Sequence, residues 1–143
     1  MDRLKKQLDF IIEIDKLKGI LRQSLVLDGA RRENDTEHSW HMSMCALILK
    51  EYYKEEVDML KVIKMILIHD IVEILAGDTP AYGTFSPEEK RENEMKAAEK
   101  TFGILPEDQK MNLWNCGLNL NIRKLKIKNL LMPVMDFKDL FKM

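Results

Sequence analysis

Apolar residues recur at helical spacing along most of the chain. Over residues 3–18, leucines and isoleucines at three- and four-residue intervals predict a first amphipathic helix. The same periodicity predicts a second helix over 35–53 and a third over 57–75, for which Gly77 is the natural C-cap. No segment alternates apolar and polar residues in the way that is typical of a β-strand. The pattern therefore predicts an all-α fold.

Capping residues support these helix boundaries. Asn34 followed three residues later by Glu37 is the pattern of a capping box at the start of the second helix. The sequence SPEE at residues 86–89 combines an N-cap serine, a proline at N1 and a glutamate at N3, and predicts a charged helix over 87–101. A proline then predicts a further helix over 106–114. The stretch between the first two helices is predicted to be irregular.

The composition is that of a folded globular protein. The chain has 143 residues, of which 45% are apolar and 33% charged, and its net charge of −1 gives no electrostatic attraction to nucleic acid or to an anionic membrane. The N-terminus mixes charged and apolar residues, so we expect neither a signal peptide nor a membrane-spanning helix there. Two cysteines without paired spacing are typical of a reducing compartment, and a cytoplasmic location is expected.

The final residues differ in character from the rest of the chain. Residues 117–143 contain six basic and two acidic side chains, although acidic residues outnumber basic ones over the whole sequence. Pro133 interrupts any long helix in this segment. We therefore predict one helical domain over 1–116 and an atypical C-terminal tail over 117–143.

The sequence MILIHDIVEILAGD at 65–78 places ionisable residues in an apolar run. Burying such groups unpaired costs several kcal/mol, so they usually pair, bind a metal or take part in chemistry. On a helix, His69 and Glu73 would share a face, with Asp70 beside them. His38, at the start of the preceding helix, is placed to supply a second imidazole. Two nitrogens and one carboxylate suit a borderline or hard divalent cation such as Mn, Co, Ni, Zn or Mg.

The same residues also have structural interpretations. The His-Asp pair is also consistent with a buried hydrogen bond in a helical interaction domain that holds no metal. Glu73 is consistent with a solvated helix residue, Asp78 with a turn residue and Arg22 with a surface charge. His41, three residues after the first histidine, is expected to face solvent rather than to support a metal ligand. The spacing of these residues leaves both interpretations open.

Two motifs together resemble the HD-domain phosphohydrolases. ENDTEHSWHMSM is followed about thirty residues later by LIHDIVEILAGDT, and the resemblance covers residues 1–116. It is greatest for the branch that contains the 5′-deoxynucleotidases. The resemblance implies a helical bundle that holds one divalent cation between His38, His69, Asp70 and a further aspartate on a later helix.

The resemblance also implies a reaction and the residues that perform it. The reaction is hydrolysis of nucleoside or deoxynucleoside 5′-monophosphates by a metal-activated water. Glu73 and Asp78 would be the catalytic residues at the reacting phosphate, and Arg22 would bind the phosphate. The implied partner is therefore a small nucleotide, not nucleic acid or a membrane, and a homodimer is expected. The sequence contains neither the P-loop of nucleotide triphosphatases nor the HExxH motif of zincin proteases.

The tail departs from the family at the last metal ligand. The family places that aspartate in a helical segment for which nothing comparable follows Trp114, unless Asp136 or Asp139 substitutes. The codons of residues 119–140 permit a neighbouring-frame translation, FEYQETEDQKFANACDGFQGF, that resembles the family segment. We therefore hypothesise that the tail arises from a frameshift. The alternative function is then an inactive HD-fold binding or scaffold protein that has lost the last ligand.

Overall fold

A computed structural model of the protein describes residues 2–52, 56–76 and 86–116. Helices dominate these residues, as the periodicity predicts. The helices are α1 (Arg3–Ile14), α2 (Asp35–Ile48), α3 (Met59–Ile68), α4 (Glu73–Ala76), α5 (Pro87–Phe102) and α6 (107–116). Short 3₁₀ turns extend the first two helices, over Asp15–Gly19 and Leu49–Tyr52. The all-α prediction is confirmed as a helical fold, with one small addition.

That addition is a β-hairpin, which the sequence prediction of no strand missed. β1 (Leu21–Leu25) pairs antiparallel with β2 (Arg32–Asn34), and Gly29 in the connection adopts a φ of 74°. The outer residues of β1 are leucines with 53% and 45% exposure, while the polar residues at positions 22 and 24 are half-buried. The usual pattern of apolar residues facing inward is therefore reversed, and periodicity could not identify the strand.

The prediction of one continuous helix over 57–75 is also wrong. α3 ends at Ile68, and residues 69–72 form turns before α4 begins at Glu73. The amide of Glu73 donates to the carbonyl of Asp70 at 2.9 Å, a three-residue spacing that tightens the backbone relative to an α-helix. His69 and Glu73 are therefore not one α-helical turn apart on a common face.

The predicted capping boxes are confirmed. At α2 the amide of Glu37 donates to Asn34 Oδ1 at 2.9 Å, and the amide of Asn34 donates to Glu37 Oε2 at 3.2 Å. The reciprocal pair at α5 is formed by Ser86 and Glu89. Gly77, the predicted C-cap of the third helix, lies outside the described residues.

Two groups of buried side chains hold the segment around positions 69 and 70 in place. The first joins α1, the end of α3, the following turn and α5, and includes Phe10, Ile68, Ile71 and Phe102. The second joins α2 to α3 and consists of Met42, Ala46, Val62 and Ile66. Apolar burial on both sides of the His-Asp pair therefore fixes the backbone that carries it. None of the described helices is both long enough and apolar enough to span a membrane.

Candidate metal centre

Three predicted ligands come together between α2 and the end of α3. His38 lies in the first turns of α2, whereas His69 and Asp70 directly follow α3. One donor atom from each residue lies within 4.8 Å of the other two. The centroids of the two imidazole rings are 5.8 Å apart. The donors are thus close enough to surround a single cation, and they combine nitrogen and oxygen ligands.

His69 is oriented by a main-chain group. Its Nδ1 lies 2.5 Å from the carbonyl oxygen of Ile66, which only accepts hydrogen bonds, so Nδ1 carries a proton. Its Nε2 lies 3.0 Å from Asp70 Oδ1. Nε2 and this carboxylate oxygen are therefore close enough to bind the same metal ion.

His38 is oriented by a carboxylate instead. Its Nδ1 lies 3.2 Å from Glu33 Oε2, and the same oxygen accepts a hydrogen bond of 3.1 Å from Ser24 Oγ. Its Nε2 is buried and has no hydrogen-bond partner among the described residues. Burial and the charge of Arg22 lower the pKa of His38 and outweigh the opposing effects of nearby carboxylates. The result is a neutral imidazole whose open nitrogen fits a metal ligand.

Arg22 lies within this cluster rather than on the open surface. Its Nη1 donates to Asp35 Oδ1 at 3.0 Å and to Asp70 Oδ2 at 2.8 Å. The side chain of Arg22 is 21% exposed, that of Asp70 7% and that of Asp35 0%. The arginine therefore joins a predicted metal ligand to a second, fully buried carboxylate.

The two carboxylates respond differently to their surroundings. Burial and the charge of Asp70 raise the pKa of Asp35 despite its hydrogen bond to Arg22. Burial also acts to raise the pKa of Asp70, but its hydrogen bond to His69 and the positive charges around it lower the pKa overall. Asp70 is thus held as a carboxylate, the form that binds a metal, while Asp35 binds a proton more readily than usual.

Of the two predicted catalytic carboxylates, one lies within the described residues. Glu73 is half-buried at the start of α4. Its hydrogen bond with Asp35 acts to lower the pKa of Asp35, and its negative charge acts to raise the pKa of Arg22. The structure therefore places Glu73 beside the cluster. Asp78 lies outside the described residues, as does the tail over 117–143. His41 is exposed on α2, as expected.

Three residues that contact this cluster were not predicted from the sequence, namely Ser24, Glu33 and Asp35. Glu33 and Asp35 fall within the quoted motif, on either side of the N-cap, but nothing in the one-dimensional pattern shows that they are buried. The usable signal was the polar residue at every second position of β1, which only becomes meaningful once a strand is recognised.

Comparisons with known proteins find similarity over most of the chain. A family model described as HD domain matches residues 14–117. The human 5′-deoxynucleotidase HDDC2 is 26% identical over 108 residues, which are 75% of this chain and 52% of that protein. The 5′-deoxynucleotidase HDDC2 of Dictyostelium discoideum is 34% identical over 100 residues, 66% of this chain and 53% of that protein.

A solved structure is similar over more of the chain. The crystal structure of a predicted metal-dependent phosphohydrolase from Magnetospirillum magnetotacticum MS-1 has a TM-score of 0.77 and is 49% identical. The similarity covers 85% of this chain and 60% of that one. The chain thus spans about half the length of the curated relatives that it matches, and somewhat more of the solved structure.

Proposed function

We propose a function for this chain from one premise: it belongs to the HD-domain family. The proposed function is divalent-metal-dependent hydrolysis of phosphate monoesters. The observation that carries it is the convergence of His38, His69 and Asp70 within 4.8 Å, together with the buried Nε2 of His38 that has no protein partner within the described residues. The relatives named 5′-deoxynucleotidase support nucleoside or deoxynucleoside 5′-monophosphates as the substrate class.

The donor set fits a single divalent cation. His38 and His69 would each contribute Nε2, and Asp70 would contribute a carboxylate oxygen. Such a mixed set accepts Mn, Co, Ni, Zn or Mg, and availability decides among them. A bound cation of this kind lowers the pKa of a water and polarises a phosphoryl oxygen.

Two further side chains would act on the substrate. The guanidinium of Arg22 donates through Nη1 to both carboxylates, so Nε and Nη2 are suited to neutralise phosphate oxygens. Glu73 would orient the attacking water or donate a proton to the leaving 5′-oxygen. Asp78 is proposed for the same proton transfer.

Metal stoichiometry and phosphate release test the proposal together. The purified chain is freed of metal, offered Mn, Co, Ni, Zn and Mg separately, and analysed for bound ion. Each loaded sample is then assayed for phosphate release from deoxynucleoside and nucleoside 5′-monophosphates, with 3′-monophosphates as the comparison. We expect one ion per chain and release from the 5′-monophosphates.

The outcomes separate the candidate functions. An ion that binds without any phosphate release would favour the alternative, an inactive HD-fold binding or scaffold protein. Failure to retain any ion would rule out metal-dependent hydrolysis and favour an HD-fold scaffold in which His69 and Asp70 form a purely structural pair.

We further propose that the protein is a cytoplasmic homodimer that acts on a small nucleotide and binds neither nucleic acid nor membranes. Several large apolar side chains of α2 are exposed, among them Trp40 at 65% and Ile48 at 65%. Such a surface is typical of an interface. Light scattering coupled to gel filtration should give the mass of two chains; a monomer at micromolar concentration would refute this assembly.

A further inference from the structure

The hairpin directs polar side chains toward α2. Arg22 and Ser24 of β1 are half-buried, and the residues on either side of each are exposed. Successive side chains of a strand point to opposite faces, so these two share the inner face. Glu33 of β2 is also half-buried, and it contacts both Ser24 and His38. One strand pair therefore reaches the candidate metal centre through a short chain of hydrogen bonds.

The direction of these hydrogen bonds assigns a proton. An ionised carboxylate only accepts hydrogen bonds, so at Glu33 Oε2 both Ser24 Oγ and His38 Nδ1 must donate. A neutral imidazole has one proton, and here it lies on Nδ1. Nε2 of His38 then carries the lone pair, in a buried position without a partner among the described residues.

The two histidines of the centre reach the same orientation by different means. Nδ1 of His69 donates to a main-chain carbonyl, that of Ile66, which no side-chain substitution removes. Nδ1 of His38 depends on the side chain of Glu33. Histidine ligands of metals generally donate their second ring nitrogen to a carbonyl or a carboxylate, and these partners fix the tautomer. The contrast makes Glu33 testable, with His69 as an internal control.

We propose that Glu33 is a positioning residue: it fixes His38 in the tautomer protonated on Nδ1, which leaves Nε2 available to a metal, and Ser24 holds Glu33 in place. The metal part of this inference rests on the proposed function. The tautomer part does not, because it involves only groups of the protein.

The tautomer is measured on the metal-free chain. Long-range ¹H–¹⁵N spectra of histidine-labelled protein are recorded at about pH 8, above the ordinary histidine pKa of about 6.5. The chain has three histidines, and a His41→Gln variant assigns the exposed one. We expect His38 to be protonated on Nδ1 in the parent chain and to become a mixture of tautomers in Glu33→Ala, while the His69 signals stay unchanged.

Metal affinity is the second readout. Titration calorimetry with Zn and Co should show a loss of about 10- to 100-fold in Glu33→Ala. Glu33→Gln keeps an acceptor oxygen and should recover part of the loss, and Ser24→Ala should lose less than about tenfold. Glu51→Ala, the same change at an exposed position, should bind as the parent chain does.

The two readouts distinguish the possible failures. A parent His38 protonated on Nε2, or an unchanged tautomer in Glu33→Ala, would overturn the inference whatever the metal does. A tautomer shift in a chain that binds no metal would support the positioning role and reject the proposed function. Equal thermal melting of metal-free parent and Glu33→Ala, with reduced affinity only in the variant, would exclude a merely structural role.

Discussion

Replacing Arg22 with methionine should destabilise the protein strongly at neutral pH and much less in mild acid. The substitution keeps the apolar stem but removes the charge shared by Asp35 and Asp70. Those carboxylates are 0% and 7% exposed, so water cannot replace the lost interaction. Breaking a buried ion pair on one side typically costs about 3–5 kcal/mol.

Protonation limits this cost and gives it a pH dependence. One carboxylate can take up a proton in the folded variant, which costs about 1.4 kcal/mol for each pH unit above its unfolded pKa of about 3.9. The loss in the free energy of unfolding is therefore limited to about 4 kcal/mol at pH 7 and about 1.5 kcal/mol at pH 5. Loss of the arginine raises the folded-state pKa of the carboxylate. The variant protein is therefore most stable at low pH, where this group is protonated in both states, and it loses stability as the pH rises.

Urea denaturation followed by far-ultraviolet circular dichroism, in the presence of a chelator, measures the effect at both pH values. Arg3→Met is the matched control, because Arg3 donates two hydrogen bonds to Asp108 at 2.8 and 2.7 Å, but both side chains are largely exposed. That control should change stability little at either pH. A loss of less than about 1 kcal/mol at neutral pH in Arg22→Met would refute the buried arrangement. A loss in acid as large as the loss at neutral pH would refute it as well.

Three further predictions concern the metal centre and the helix that carries it. His69→Ala and Asp70→Ala should each abolish metal retention in elemental analysis while helix content is nearly unchanged, whereas His41→Ala should retain the ion; full occupancy in both of the first two would remove them as ligands. Metal affinity should fall as the pH decreases, because His38 must be neutral to bind and its lowered pKa places its share of the loss below about pH 6.5; calorimetry showing equal affinity at about pH 7 and about pH 5 would contradict this. Asn34→Ala removes the capping box of α2 and should cost about 1 kcal/mol in urea denaturation, and an unchanged midpoint would show that the cap is dispensable.

The sequence predicted the start of α2 correctly, because contacts between neighbouring residues decide it. Asn34 and Glu37 satisfy main-chain donors within three residues of each other, so their pattern alone locates the start of α2. That boundary places His38 in the first turns of the helix. The apolar run around His69 and Asp70 likewise predicted that these residues lie near the core, and the neighbouring Ile68 and Ile71 are indeed buried.

Sequence reasoning failed where a contact depends on distant segments. The break after Ile68 carries no proline or glycine, and the tight turn is held by apolar packing against α1 and α5. The hairpin carries its polar residues inward because they meet the charged side chains of the candidate metal centre rather than an apolar core. The hydrogen bonds of Arg22 to Asp35 and Asp70 were not predicted, because they depend on the pairing of β1 with β2 and on the turn that follows α3.

Glu33 and Asp35, which were not predicted, share one property, which is the charge that they bring to the candidate metal centre. Glu33, Asp35, Asp70 and Glu73 bring four carboxyl groups to a region in which Arg22 is the permanent cation of the described contacts. An excess of buried negative charge requires protons or a metal. The raised pKa of Asp35 is one expression of that requirement. His69 Nε2 and Asp70 Oδ1, which are 3.0 Å apart, are placed to share a divalent cation that would offset part of this negative charge. The residues that were not predicted from the sequence are therefore consistent with the metal interpretation derived from those that were.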